Sequence, residues 1–179
     1  MRSLPEVETA KELMKEARKW SVMKWLREKK RLRKAADQAN AALDRLSHEL
    51  KQRWPENIRI AYQYLPSAMS PGKWDVRLPE SSQADDAEAL ELAHQVRDAD
   101  EAAYRARMIA EQTFDEAERK LSTTLAREGS VQAIQSWDLQ EKAISLAESC
   151  LQISERQSTA ARDCSPVRRP RAPSDASHR

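Results

Sequence analysis

Apolar residues fall along the chain at helical spacing. From Val22 they recur at alternating steps of three and four residues, through Trp25, Lys29, Leu32, Ala36, Ala39, Leu43, Leu46 and Leu50. This heptad seam predicts knobs-into-holes packing against a partner helix, and Lys29 is its one charged member. Around Trp20–Leu26 the apolar residues leave the single stripe and surround much of the helix, which predicts more than one neighbour there. Between Pro5 and Pro55 the chain holds no proline and no glycine. The pattern therefore predicts one unbroken helix over about 4–53, with Ser3 and Glu6 as a capping box and Pro5 in the first turn.

A second seam runs through Ala89, Leu92, Val96, Ala99, Ala103, Ala106, Ala110, Thr113 and Ala117. Its many alanines permit a neighbouring backbone to come close. Ser82 is the expected N-cap, with Asp85 and Asp86 in the first turn at the positive end of the helix dipole. This helix is expected over about 83–128. Gly129 and Ser130 suit a helix stop followed by a new cap, so a third helix is expected over about 130–156, with Ile134, Trp137, Ile144, Ala147 and Leu151 on its stripe. The alternative is that Gly129 is absorbed into a continuous or kinked helix. The connector 54–82 holds a short helical pattern (Glu56–Leu65), a Pro71-Gly72 turn and an alternating stretch from Lys73. Residues 158–179 combine proline, serine and arginine with almost no apolar side chains, which predicts a disordered basic tail after a helical domain at 1–157.

The expected fold class is all-α: a long antiparallel, coiled-coil-like hairpin of the first two helices, with the third packed at one end. That end is the Trp20 end, where Trp20, Trp25, Phe114, Leu125 and Trp137 would share a core. Composition agrees, since two glycines and one phenylalanine leave little for the turns and aromatic strands of a sheet protein.

Charge changes the picture more than composition does. The net charge of the 179 residues is only +2, but the signs are segregated. Lys11–Lys34 holds eleven Lys or Arg against three Glu, and Glu80–Glu118 holds twelve acids against three Arg. In the expected hairpin neither the basic run nor the acidic segment Glu80–Glu101 is neutralised within the chain, so both are available to another molecule, including a second copy arranged head to tail. The candidate binding surface is Arg27, Lys29, Lys30, Arg31, Arg33 and Lys34. Its simpler explanation is a solvated helix face over two core tryptophans. The sharper one is phosphate binding with Trp20 and Trp25 stacking on bases. Positive charge all round the helix at 27–34 does not form the one-sided face that a membrane surface prefers.

Catalytic patterns are scarce. Glu91-Leu-Ala-His94 is one Glu-x-x-His, where a helical di-metal site needs two with two further inward acids. His48 and His94 fall on outer faces, two residues past seam positions. Neither glycine belongs to a phosphate-binding loop, and Cys150 and Cys164 sit in no nucleophile or zinc pattern. The expectation is a non-enzyme with no cofactor, no metal and no small-molecule substrate. No signal segment and no membrane span are apparent, and two cysteines frame no disulfide scaffold, so a cytoplasmic setting is expected. The favoured partner is a protein, either a helix of another chain or a second copy; nucleic acid bound by residues 11–34 is the alternative.

Overall fold

The computed structural model describes residues 4–54 and 84–163, and the described residues form four helices. They are α1 (Pro5–Ala17), α2 (Val22–Arg53), α3 (Ala84–Lys120) and α4 (Thr123–Asp163). The expected connector, the Ser82 cap, Ser3 and the basic tail from 164 lie outside the described residues. The fold is all-α, with a long antiparallel hairpin and an additional helix packed at one end.

The hairpin is formed by other segments than the pattern predicted. The closest packing is α3 against α4. The two helices bury many small side chains: Ala89, Ala93, Ala99, Ala103, Ala106 and Ala110 on α3, and Ala126, Ala133, Ala143 and Ala147 on α4. Small residues let the two backbones approach. At the open end, the Cys150 thiol lies 3.8 Å from the Ala89 carbonyl. The α2 helix lies against this hairpin. Lys29 pairs with Glu118, Arg33 with Asp115 and Asp44 with Arg107, so α2 and α3 run in opposite directions. Trp137 donates from Nε1 to Asn40 at 2.8 Å, and Arg53 approaches Glu155, so α2 and α4 run the same way.

The first expected helix is not continuous. It breaks at residues 18–21, and α1 folds back onto α2 and α4. The break contains neither proline nor glycine. Ser21 takes an extended backbone (φ −75°, ψ 165°), and its hydroxyl accepts from the Lys24 N–H at 3.3 Å. Part of the apolar excess at Trp20–Leu26 has its cause here, since Trp20 and Trp25 are buried where two helices meet at a chain reversal, while Val22 and Met23 stay exposed. Trp20 and Trp25 are 4% and 3% exposed and share a core with Trp137, Phe114 and Leu125, as the sequence predicts. Burying each tryptophan stabilises the fold by roughly 2–3 kcal/mol. The extra helix at this end is thus α1, and it makes a four-helix end where a three-helix one was expected. Leu4, not Ser3, occupies the cap position of α1, without a side-chain cap.

The second break also moves. Gly129 lies inside α4, and the reversal comes at Leu121–Ser122. Leu121 has φ 49°, the left-handed region. Its N–H donates to the Glu118 carbonyl, and the Ser122 N–H donates to the Ala117 carbonyl at 3.0 Å. These two bonds are those of a Schellman cap, with leucine where glycine is usual. Gly129 packs closely against Phe114. A Cβ there would meet the Phe114 ring at 3.1 Å. The last helix runs to Asp163, past the expected end at 156.

Candidate interaction surface

Both elbows lie at one end of the bundle. Glu118, close to the end of α3, pairs with Lys29 in the second turn of α2, and Arg127 reaches the Trp20 carbonyl from near the start of α4. That end gathers most of the positive block, and packing sorts its cations into two sets.

One set is used by the fold. Lys11 is buried; its ammonium lies 2.7 Å from Glu141 and 2.8 Å from Asp138, clamping α1 to α4. Burial lowers its pKa, but the hydrogen bonds to Asp138 and Glu141 outweigh that and leave it above the ordinary lysine value. Lys29 lies 2.6 Å from Glu118, and Arg33 lies 2.6 Å from Asp115 and 3.0 Å from Glu118. The hydrogen bond from Lys29, then the charge of Arg33, hold the Glu118 carboxyl below its ordinary range. Lys29 and Arg33 therefore cross to α3, and the expectation that the positive block goes unneutralised is corrected for Lys11, Lys29 and Arg33.

The other set faces outward. Arg27, Lys30, Arg31 and Lys34 are exposed, and their spacing of i, i+3, i+4 and i+7 puts them on one face of α2. Arg31 lies 3.8 Å from Glu28 on the same helix. Among the described residues, Arg27, Lys30 and Lys34 make no ion pair. The cations thus do not encircle the helix as free charge; they form a stripe.

Around the elbow the cations continue into an open groove of about 640 Å³ between the end of α1 and the start of α4. Lys15, Arg18, Lys19 and Arg127 line it, with Glu128 as its one acid and Val131 as its apolar wall. Sequence reasoning missed this convergence, because Arg127 comes from the helix that was expected to end at Glu128. A signal did exist: Ser122-Thr123-Thr124 after Arg119-Lys120 is a helix stop and start, overlooked in favour of Gly129. Exposed apolar side chains mark the same end: Met23, Leu121, Val22 and Val131.

The indoles are not part of the surface. Trp20 and Trp25 are buried, so neither offers a ring face to a base; Lys24 and Lys29 lie over them at 5.4 and 6.0 Å from the ring centres. Elsewhere, Asp100 sits in a small cleft between α2, α3 and α4 with Lys51 and Gln140. Burial raises its pKa, against the charge of Lys51 and a hydrogen bond from Gln140. Nothing in the sequence pattern singled Asp100 out. Cys150 is buried, and burial pushes its thiol up to about 12. His48 is exposed beside Gln52, its Nε2 at 3.0 Å from the amide nitrogen. Among the described residues no three His, Cys, Asp or Glu side chains gather as metal ligands, and no helix is long and apolar enough to cross a membrane. No family model, no curated protein and no solved structure matches the chain.

Proposed function

We propose that this chain is a non-enzymatic helical interaction module that docks an acidic partner surface on its cationic elbow end. One observation carries the reading: packing consumes Lys11, Lys29 and Arg33 but leaves Arg27, Lys30, Arg31 and Lys34 together on one outward face. A one-sided field of this kind speeds encounter and selects partners of opposite sign. A second copy is one such partner, because Glu88, Glu91 and Asp98 are exposed on α3. The heptad spacing of α3 supports describing its hairpin with α4 as a coiled coil. A cytoplasmic setting is supported by the absence of an apparent signal segment or span in the sequence and by the scarcity of cysteine.

Nucleic acid is the second reading, favoured by the same stripe, which can follow a line of phosphates. It is weakened by the burial of Trp20 and Trp25, which removes the stacking platform that single strands use. The test is an anisotropy titration of the full chain with a polyglutamate peptide across ionic strength, beside sedimentation at the same salts. Binding or self-association that falls as salt rises, and that disappears when Arg27, Lys30, Arg31 and Lys34 are changed to Glu at unchanged helicity, supports the reading. Absence of both at low salt, or insensitivity to the charge reversal, removes it.

A further inference from the structure

The elbow end is apolar at its tip as well as cationic on its flanks. Seven large apolar side chains are exposed among the described residues, and four of them (Val22, Met23, Leu121 and Val131) belong to this end. Met23, in the first turn of α2, is 68% exposed, and Leu121, at the other elbow, is 55% exposed. Leu121 also carries a backbone penalty. Its φ of 49° costs a side-chain-bearing residue free energy that glycine would not pay, and its exposed side chain returns little to the fold. A strained apolar residue kept at an exposed tip points to a partner that takes up the side chain.

Lys15, Arg18, Lys19, Lys24 and Arg27 flank Val22 and Met23 along the chain, all five are exposed, and Lys15, Arg18 and Lys19 share the groove with Val131. Apolar side chains at a tip with cations around them match the two layers of an anionic membrane surface: acyl chains beneath, phosphate and carboxylate headgroups above. Nucleic acid satisfies only the cations.

We propose that the elbow end is a docking tip for an anionic lipid bilayer, with Met23 and Leu121 entering the headgroup boundary and the flanking cations holding the headgroups. The inference rests on the cationic docking reading and names its partner. Only side chains enter; the helices stay outside the hydrocarbon. The one-sided stripe also revises the expectation that charge around the whole helix disfavours a membrane surface.

The experiment is co-sedimentation of the full chain with phosphatidylcholine vesicles, with and without phosphatidylserine. Binding is expected only with phosphatidylserine. Met23→Ser and Leu121→Gly are each expected to weaken it roughly tenfold, about the effect of losing one partly inserted apolar side chain. Leu121→Gly is expected to raise the melting temperature at the same time, which separates lost docking from lost folding. Vesicle binding indifferent to both substitutions overturns the inference, because charge alone then suffices. Binding to polyglutamate with none to vesicles also overturns it and leaves docking of an acidic protein surface standing, and binding to duplex DNA alone overturns it in favour of the nucleic-acid reading. No binding to any of these probes removes both.

Discussion

The two elbows reverse the chain at the same end of the bundle, but they are built from opposite materials. At residues 18–21 the turn is relaxed: Arg18 keeps helical angles, Ser21 is extended and capping, and Trp20 is driven into the core. At 121–122 the turn is strained, and its large side chain, Leu121, faces out. The first elbow spends its apolar residue on the fold. The second withholds one from the fold and places it where another molecule can reach it. The difference teaches that an apolar residue at a turn has no fixed meaning; burial and backbone angle together assign it.

The largest expected effect is at the inward elbow. Trp20→Ala should destabilise the bundle by about 3–5 kcal/mol, the usual cost of emptying a large buried aromatic site. Met23→Ala, three residues on but exposed, should stay within about 0.5 kcal/mol of the parent. Urea unfolding of the two variants measures both. Equal losses would erase the contrast between an inward and an outward apolar residue.

Next comes the site where the second reversal was expected and does not occur. Gly129→Ala gains about 1 kcal/mol of helix propensity but forces a methyl group against the Phe114 ring. Overpacking of that kind costs about 1–3 kcal/mol, so a net loss near 1 kcal/mol is expected. In a Phe114→Ala background the sign should invert, because the obstructing ring is gone. A double-mutant cycle by thermal unfolding reads this coupling. Additive effects would mean that Phe114 is not what keeps residue 129 a glycine.

These residues also explain what was legible. The seams of Leu32–Leu50 and Ala89–Ala117 predicted helices and buried faces correctly, because periodicity records burial directly. The reversals were harder. Ser21 caps without the partner acid of a capping box, and Leu121 holds an angle that leucine rarely adopts, so the sequence carries no glycine or proline at either turn. Gly129 drew the expectation to itself for a reason that only Phe114, across the hairpin, reveals. The candidate surface was half legible. Lys29, the charged member of an apolar seam, was the sign that part of the basic run faced inward. Which cations stayed outside depended on where α3 lay, and the groove with Arg127 depended on a contact 107 residues distant in sequence.

Acid titration sharpens the comparison between the elbow end and the rest of the bundle, because two acids shift in opposite directions. Glu118, beneath the elbows, has a lowered pKa. Its contribution to stability is present above the unfolded carboxyl value, 4.5, and is lost as pH falls through the lower folded value. Asp100 has a raised pKa. Its contribution is present below the unfolded value, 3.8, and is lost as pH rises through the higher folded one. Glu118→Gln should therefore remove a stabilisation seen at neutral pH, and Asp100→Asn should remove a penalty there. Unfolding curves of the two variants, taken from neutral pH down to that of full protonation, should diverge from the parent with opposite sign. Shifts of the same sign would mean that Lys51 and Gln140 outweigh the burial of Asp100.

The smallest effect is at the outward elbow, and it bears most on function. A left-handed residue with a side chain pays about 1–2 kcal/mol. Glycine escapes that cost but loses about 0.5–1 kcal/mol more conformational entropy on folding. Leu121→Gly should therefore stabilise the chain by a net of about 0.5–1 kcal/mol, seen as a modest rise in the urea midpoint. Leu121→Ala removes the same exposed apolar group but keeps the strained angle, so it should gain almost nothing. The pair of variants separates the angle from the side chain. If alanine gains as much as glycine, exposure of the leucine and not its backbone is the cost, and the turn at 121–122 is no more strained than the one at 18–21. If only glycine gains, leucine is held at that elbow against the interest of the fold.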